Sequence, residues 1–279
     1  MLKLMYITNK PRVAKIADKA GVDRIFVDME YIGKDDRQKG LNSVKNRHTL
    51  KDVKRVKSKL KKAELLVRVN PIHDETDIYT SSETEINGAI ENGADIIMLP
   101  FFKTVEEVKR FIKAVDGRAK TMLLLETKSA VDNLDEILQV KGIDEIHIGL
   151  NDLSIDLKKK FMFEPLADGL VDVLCEKIRD AEIPYGFGGI ARLNHGEIPS
   201  QNIIVEHYRL GSSFAILSRS FCNVKTTSFI KIKMLFKREL KKIRKFERKV
   251  SKTYTSEQIE NNRIKTIELI NEKKDKILN

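Results

Sequence analysis

Apolar positions along this chain fall into two alternating rhythms. Short runs rich in Val, Ile and Leu recur at residues 4–8 (LMYIT), 24–30 (RIFVDME), 65–70 (LLVRVN), 95–100 (DIIMLP), 121–127 (TMLLLET), 145–152 (EIHIGLND), 184–191 (PYGFGGIA) and 208–217 (YRLGSSFAIL). Such near-continuous apolarity marks strands buried on both faces, and therefore a parallel sheet. The segments between them have helical spacing. In TVEEVKRFIKAV, Val105, Val108, Phe111 and Val115 share one face, and Thr104 with Glu107 has the spacing of a capping box. SAVDNLDEIL predicts another helix, opening at Ser129 with Asp132 behind it. Eight strands alternating with helices predict a (β/α)8 TIM barrel over residues 1–224. An open doubly wound sheet is the competitor, but no G-x-G-x-x-G follows the first strand.

A barrel of this kind carries its site at the C-terminal ends of its strands. The predicted ends supply Glu30, Arg68, Asn70, Glu126, Asp152, the Gly188–Gly189 pair and Ser212–Ser213. Glu126 and Asp152 end consecutive strands, so their carboxylates would share one rim, where like charges repel unless a cation bridges them. Hard oxygen donors suit Mg²⁺ or Mn²⁺. The alternative is that both acids cap helices. Arg68, inside an apolar strand, needs an anion. A structural carboxylate such as Glu30 and a substrate carboxylate both fit. The glycines at 188–189 and the GSS at 211–213 would offer backbone N–H groups to a ligand, or simply turn the chain.

Composition narrows the class. No run of about 18 apolar residues exists to span a membrane, and the opening MLKLMYITNKPRVAK lacks the apolar core of a signal peptide. The two cysteines, Cys175 and Cys222, are too few for a disulfide framework or a thiolate metal site. A cytoplasmic protein is expected. The net charge of +11 is concentrated in residues 225–279, which hold 17 Lys and Arg against 7 Asp and Glu, whereas residues 1–224 hold 35 against 34. With no Trp and 6% aromatics, nucleic acid is not an expected partner. Residues 225–279 read as a basic helical extension. Ile232, Leu235, Phe236, Leu240, Ile243 and Phe246 form one apolar stripe, and Ile259, Ile264, Ile267 and Ile270 form a second. This predicts a helical hairpin docked on the barrel or on a neighbouring subunit, with contact to an acidic surface as the sharper alternative.

The stretch ETKSAVDNLDEILQVKGIDEIHIGLNDLS, together with FVDME, VRVNP and GADIIMLPFFKTVEEVKRF, resembles the HpcH/HpaI aldolase and citrate lyase beta-subunit family, in order over residues 5–220. The resemblance implies a (β/α)8 barrel in which Glu126 and Asp152 bind a divalent metal, Mg²⁺ with Mn²⁺ as the alternative. It also implies that Arg68 clamps a pyruvate-like 2-oxo acid or its enolate. The implied function is a metal-dependent carbon–carbon lyase or aldolase. The alternatives are an acyl-CoA lyase of the citrate lyase beta type, or a non-catalytic barrel that binds or scaffolds. Trimers or hexamers are common in the family, so a homo-oligomer is expected. One departure matters: the position after Glu30, a His in the aldolase branch, is Tyr31. His48 is then the catalytic candidate and His73 the weaker one. His147, His195 and His207 carry no motif.

Overall fold

The computed structural model describes residues 1–33, 48–224 and 226–278. Eight parallel strands close into a barrel in sequence order: β1 (Lys3–Ile7), β2 (Arg24–Asp28), β3 (Glu64–Arg68), β4 (Ile96–Leu99), β5 (Lys120–Leu125), β6 (Glu145–Ile148), β7 (Tyr185–Ile190) and β8 (Phe214–Leu217). Around it lie α1 (Pro11–Ala20), α2 (Leu50–Lys57), α3 (Ser82–Glu91), α4 (Val105–Val115), α5 (Lys128–Asp132), α6 (Leu134–Ile137), α7 (Leu150–Asp156), α8 (Glu164–Ala167), α9 (Leu170–Asp180), α10 (Ser200–Arg209), α11 (Phe229–Thr253) and α12 (Ser256–Leu278). The fold is the (β/α)8 barrel that the strand pattern predicts, with a C-terminal helical extension.

Period-2 alternation splits the core into two layers. Met5, Phe26, Leu66, Ile96, Met98, Met122, Leu124 and Phe214 fill the barrel. Their neighbours in sequence, such as Ile25, Val27, Leu65, Val67, Leu123 and Leu125, face outward into the cluster that the helices cover. Local signals start the helices. Pro11 stands at the beginning of α1, and Thr104 with Glu107 forms the expected capping box of α4. α5 differs from expectation: Thr127, not Ser129, is its cap, and the Thr127 hydroxyl accepts from the Ala130 N–H at 3.1 Å.

Strand eight also differs. α10 continues to Arg209, so the strand begins at Phe214 rather than at residue 208. Ser212 and Ser213 therefore precede it. The Ser213 N–H donates to the Tyr185 carbonyl at 2.7 Å, and its carbonyl accepts from the Lys3 N–H at 2.9 Å. Both partners open their strands, so these serines lie at the N-terminal foot of the barrel, opposite the expected site.

The basic segment packs on the barrel. α11 buries Ile232, Phe236, Leu240 and Ile243 in the same cluster as the strand–helix core. Its Arg244 donates to the Leu2 carbonyl at 2.6 Å and to Asp23 at 2.7 Å. α12 docks on α10 and α8, but by a different face than its isoleucine pattern suggests. Ile270 and Thr266 are buried while Ile264 is 49% exposed. The Asn262 amide donates to the Asn202 carbonyl at 3.1 Å and to Glu206 at 2.9 Å. Polar side chains took the inward face because α10 presents an amide and a carboxylate there. Among the described residues no helix is long and apolar enough to cross a membrane.

Candidate functional site

The β2–β3 register sets Asp28 directly opposite Arg68. Both side chains point into the C-terminal mouth, two positions beyond the inward pair Phe26 and Leu66. The Arg68 fork closes on Asp28, with Nε to Oδ1 and Nη2 to Oδ2 both at 2.9 Å, and Nη1 lies 3.2 Å from Glu30 Oε2. Burial opposes the guanidinium charge, but Asp28, Glu30 and Glu126 outweigh it and raise the pKa of Arg68 well above the ordinary arginine value. The carboxylate that grips Arg68 is thus Asp28, which the strand reading passed over in favour of Glu30. Counting by two from Phe26 would have found it.

Asn70 has a supporting part. Its Oδ1 accepts from the Tyr31 and Ile32 N–H groups, both at 2.9 Å, and its Nδ2 donates to Glu85 at 2.8 Å. The amide thereby ties the segment after β2 to α3. His48 returns to the same strand end. Its Nδ1 accepts from the Asp28 N–H at 2.9 Å, so the neutral ring carries its proton on Nε2. His73 is committed elsewhere: its ring nitrogens face the carbonyls of Pro71 at 2.7 Å and Thr80 at 2.8 Å, stapling the loop after β3.

Glu126 follows β5, continuing the inward positions Met122 and Leu124. Its Oε1 accepts from the Phe101 N–H at 3.1 Å. Phe101 adopts a left-handed conformation (φ 49°), a strained state for a bulky residue that costs on the order of 1–2 kcal/mol. On the other side Glu126 presses against Gly149, where a Cβ would come within 2.8 Å of Oε2. Glycine here is a space requirement, since a side chain would displace the carboxylate. Three residues on, Asp152 lies buried in the first turn of α7, where the helix dipole favours an anion. Gly149 holds the N-cap position and Thr127 caps α5, so neither Asp152 nor Glu126 is the cap of its helix. Asp152 Oδ1 accepts from the Asn151 amide at 2.9 Å.

Beneath this rim stands His147. Its Nε2 donates to the Gly188 carbonyl at 3.1 Å, its ring stacks on Phe214, and its buried Nδ1 has no hydrogen-bond partner among the described residues. Burial, then the cations of Arg24 and Arg68, pull its pKa down to about 3, so it is neutral. Gly188 and Gly189 lie within β7, toward its C-terminal end. His207 is buried behind the barrel wall against Phe187 and bonds Ser212.

The donor chemistry fits a hard divalent cation. Glu126 offers a carboxylate in a cradle that a Cβ at residue 149 would fill, and Asp152 offers a second from the first turn of α7, three residues after that glycine. Among the described residues no cluster of three or more His, Cys, Asp or Glu is poised for a metal. Two carboxylates with water or substrate oxygens completing the shell is a common Mg²⁺ arrangement.

Comparison with known proteins places the chain in a family. Residues 3–164 match the HpcH/HpaI aldolase/citrate lyase family. Curated 2-keto-3-deoxy-L-rhamnonate aldolases of Escherichia coli are 33% identical over 85 residues, covering 30% of this chain and 32% of theirs, so the match spans about a third of those relatives' length. An HpcH/HpaI aldolase/citrate lyase family protein from Burkholderia cenocepacia superposes with a TM-score of 0.61 at 13% identity, over 88% of this chain and 93% of that one. An HpcH/HpaI aldolase from Desulfitobacterium hafniense gives 0.58 at 15% identity, over 87% and 93%. The citrate synthase SbnG gives 0.57 at 16%, over 87% and 92%. At such identities the solved structures speak for the fold alone. The family match, covering more than half of the residues, goes further: this chain belongs to the HpcH/HpaI aldolase/citrate lyase family.

Proposed function

We propose that this chain is a divalent-metal-dependent carbon–carbon lyase or aldolase that works through the enolate of a pyruvate-like 2-oxo acid. The observation that carries the reading is the gathering of Arg68, Asp28, Glu30 and Glu126 at the C-terminal mouth, with Asp152 in the first turn of α7, whose N-cap Gly149 packs against Glu126. The name of the Escherichia coli relatives, 2-keto-3-deoxy-L-rhamnonate aldolase, supports a 2-oxo acid as substrate class.

Glu126 and Asp152 would hold the cation, with Mg²⁺ expected first and Mn²⁺ second. When bound, the cation supplies Lewis acidity toward the oxygens of a 2-oxo acid. Arg68 keeps its charge throughout and is aimed by the Asp28 fork, so it can meet the oxygen on which negative charge develops. His48, protonated at Nε2 while the Asp28 N–H donates to Nδ1, is a hydrogen-bond donor in this state rather than a base. Gly188 and Gly189 bring bare backbone to the same end of β7 as a contact for substrate. Ser212 and Ser213 have no part, because they lie at the foot.

The test is exchange of pyruvate methyl protons into D₂O, followed by NMR with and without Mg²⁺ or Mn²⁺, beside calorimetric Mn²⁺ binding. Metal-dependent exchange that Glu126→Gln and Asp152→Asn both abolish, together with Mn²⁺ affinity, supports the reading. Exchange that ignores metal overturns it. Mn²⁺ binding without exchange would favour a barrel that binds but does not turn over. Self-association as a trimer or hexamer is a separate expectation, checked by light scattering.

A further inference from the structure

α11 and α12 are of similar length and adjacent in the chain, yet their charges differ completely. α12 carries five Lys or Arg and five Asp or Glu, whereas α11 carries eleven against two. A chain-wide preference for lysine would treat both helices alike. In α11, moreover, both acids, Glu239 and Glu247, are buried on the barrel side. Ten of its cations are exposed. Arg238 and Lys242 share Glu239, and among the described residues the other eight have no ion-pair partner.

These cations are ordered. Ile230, Met234, Lys237, Lys241, Lys245, Arg248 and Lys252 follow one another at intervals of three and four, forming a straight outward row of roughly 33 Å. The row begins with two large apolar side chains in the open, Ile230 at 74% exposure and Met234 at 60%. Beside them Arg12 of α1 stacks over the Phe229 ring at 4.1 Å, extending the cationic zone onto α1. The inward stripe of α11 is already used by the barrel core, so the outward row is available without unfolding anything.

We propose that the outer face of α11 docks on an anionic phospholipid surface, with its lysines over the headgroups and Ile230 and Met234 entering the interface. Charge complementarity requires a polyanion. A second copy meeting this face with its own would set cation against cation. Nucleic acid answers the charge but not the two exposed apolar side chains, and the row carries no aromatic, Asn or Gln to meet a base. A bilayer interface answers both.

The experiment is co-sedimentation of the whole chain with phosphatidylcholine vesicles, with and without one-third phosphatidylglycerol. Binding is expected only to the anionic vesicles, falling by about tenfold or more as salt rises. The triple variant Lys237→Gln/Lys241→Gln/Lys245→Gln should bind about 10²-fold more weakly. Lys51→Gln/Lys54→Gln/Lys59→Gln, on or beside α2, removes equal charge from exposed positions and should change binding by less than about threefold. Ile230→Ser/Met234→Ser keeps the charge and should weaken binding about tenfold. All of these positions are exposed, and thermal melts verify the fold. Equal losses in the two lysine triples, binding to phosphatidylcholine alone, or tighter binding to an RNA or DNA duplex than to vesicles would each overturn the proposal.

Discussion

The β2–β3 ladder carries an arginine–carboxylate pair at each end, in opposite order. At the foot Arg24 of β2 faces Glu64 of β3, and at the head Asp28 faces Arg68. Both guanidiniums point into the barrel, and each is also acted on from the far wall, by Glu145 at the foot and Glu126 at the head. The outcomes differ. Arg24 is fully enclosed: Nε reaches Glu64 at 3.0 Å, Nη1 and Nη2 reach Glu145 at 2.6 Å each, and Lys120 takes the other Glu64 oxygen. Two cations and two carboxylates close on themselves. At the head three carboxylates bear on Arg68, whose side chain keeps 12% of its surface open. The same residue types make a plug where charges balance and a mouth where acids outnumber the guanidinium they surround. Placement in a barrel, more than composition, separates structural from functional ion pairs.

Breaking the plug should have the largest effect. Arg24→Met strands Glu145 among buried groups, and loss of one partner from a buried pair costs about 3–5 kcal/mol. Urea unfolding should register that loss, while pyruvate proton exchange per folded molecule stays unchanged. Arg24→Met/Glu145→Leu should recover most of the stability. A loss below about 1 kcal/mol in the single variant would mean that the foot is not an ion lock. At the head the sharper change is Arg68→Lys, which keeps the charge but loses the fork. There the expectation is a fall of about 10²–10³ in kcat/KM, roughly 2.7–4 kcal/mol in transition-state terms, with a smaller stability cost than Arg24→Met. A variant that folds poorly yet retains full activity would make the head a second plug.

Much of this was legible in the sequence, and the failures have physical causes. Strand order and the strand-end positions of Arg68 and Glu126 follow from apolar runs that end in polar residues, whereas Asp152, expected at the end of strand six, lies beyond Ile148 in the first turn of α7 because Gly149 ends the strand and starts that helix. Asp28 escaped because the run was read to its last acid, Glu30, instead of being counted by twos from Phe26. Arg24, Glu64 and Glu145 carry no such signal, because a polar residue at the first position of a strand is equally compatible with solvent and with the barrel interior; here each begins its strand and points inward. The serines at 212–213 went to the wrong end because YRLGSS gives no local signal of where α10 stops. The interior face of α12 was invisible for a different reason: Asn262 and Thr266 face inward only because Asn202 and Glu206 of α10 are there to meet them.

A single added methyl group should sharpen the head of the comparison further. Gly149→Ala puts a Cβ 2.8 Å from Glu126 Oε2 and 2.9 Å from its Cβ, so the carboxylate must shift while the backbone remains allowed. A displacement of this size in a positioning group costs on the order of 10²-fold in rate. The signature is reduced exchange and weaker Mn²⁺ binding at nearly unchanged stability. If both readouts matched the parent, the position of Glu126 would not matter to function.

At neutral pH the smallest expected effect concerns the residue on which both ends act. His147 lies between the two guanidiniums, and burial, followed by Arg24 and Arg68, holds its pKa at about 3, below the ordinary 6.5. The unfolded chain therefore takes up a proton in that window while the native barrel does not. Stability from this group is complete above pH 6.5 and declines as pH falls toward 3, by about 1.4 kcal/mol per pH unit once the unfolded ring is charged. His147→Phe keeps a flat ring against Phe214 and removes the titration. Its urea-derived stability should be lower at neutral pH, because the bond to the Gly188 carbonyl is gone. It should, however, fall less steeply between pH 6.5 and 4, by one proton's worth of slope. His207, also held near 3 by burial, supplies a like slope that remains in the variant, so the acid limb flattens without disappearing. An unchanged slope would mean that the ring charges inside the folded barrel, and that neither guanidinium reaches it with the strength their shared enclosure implies.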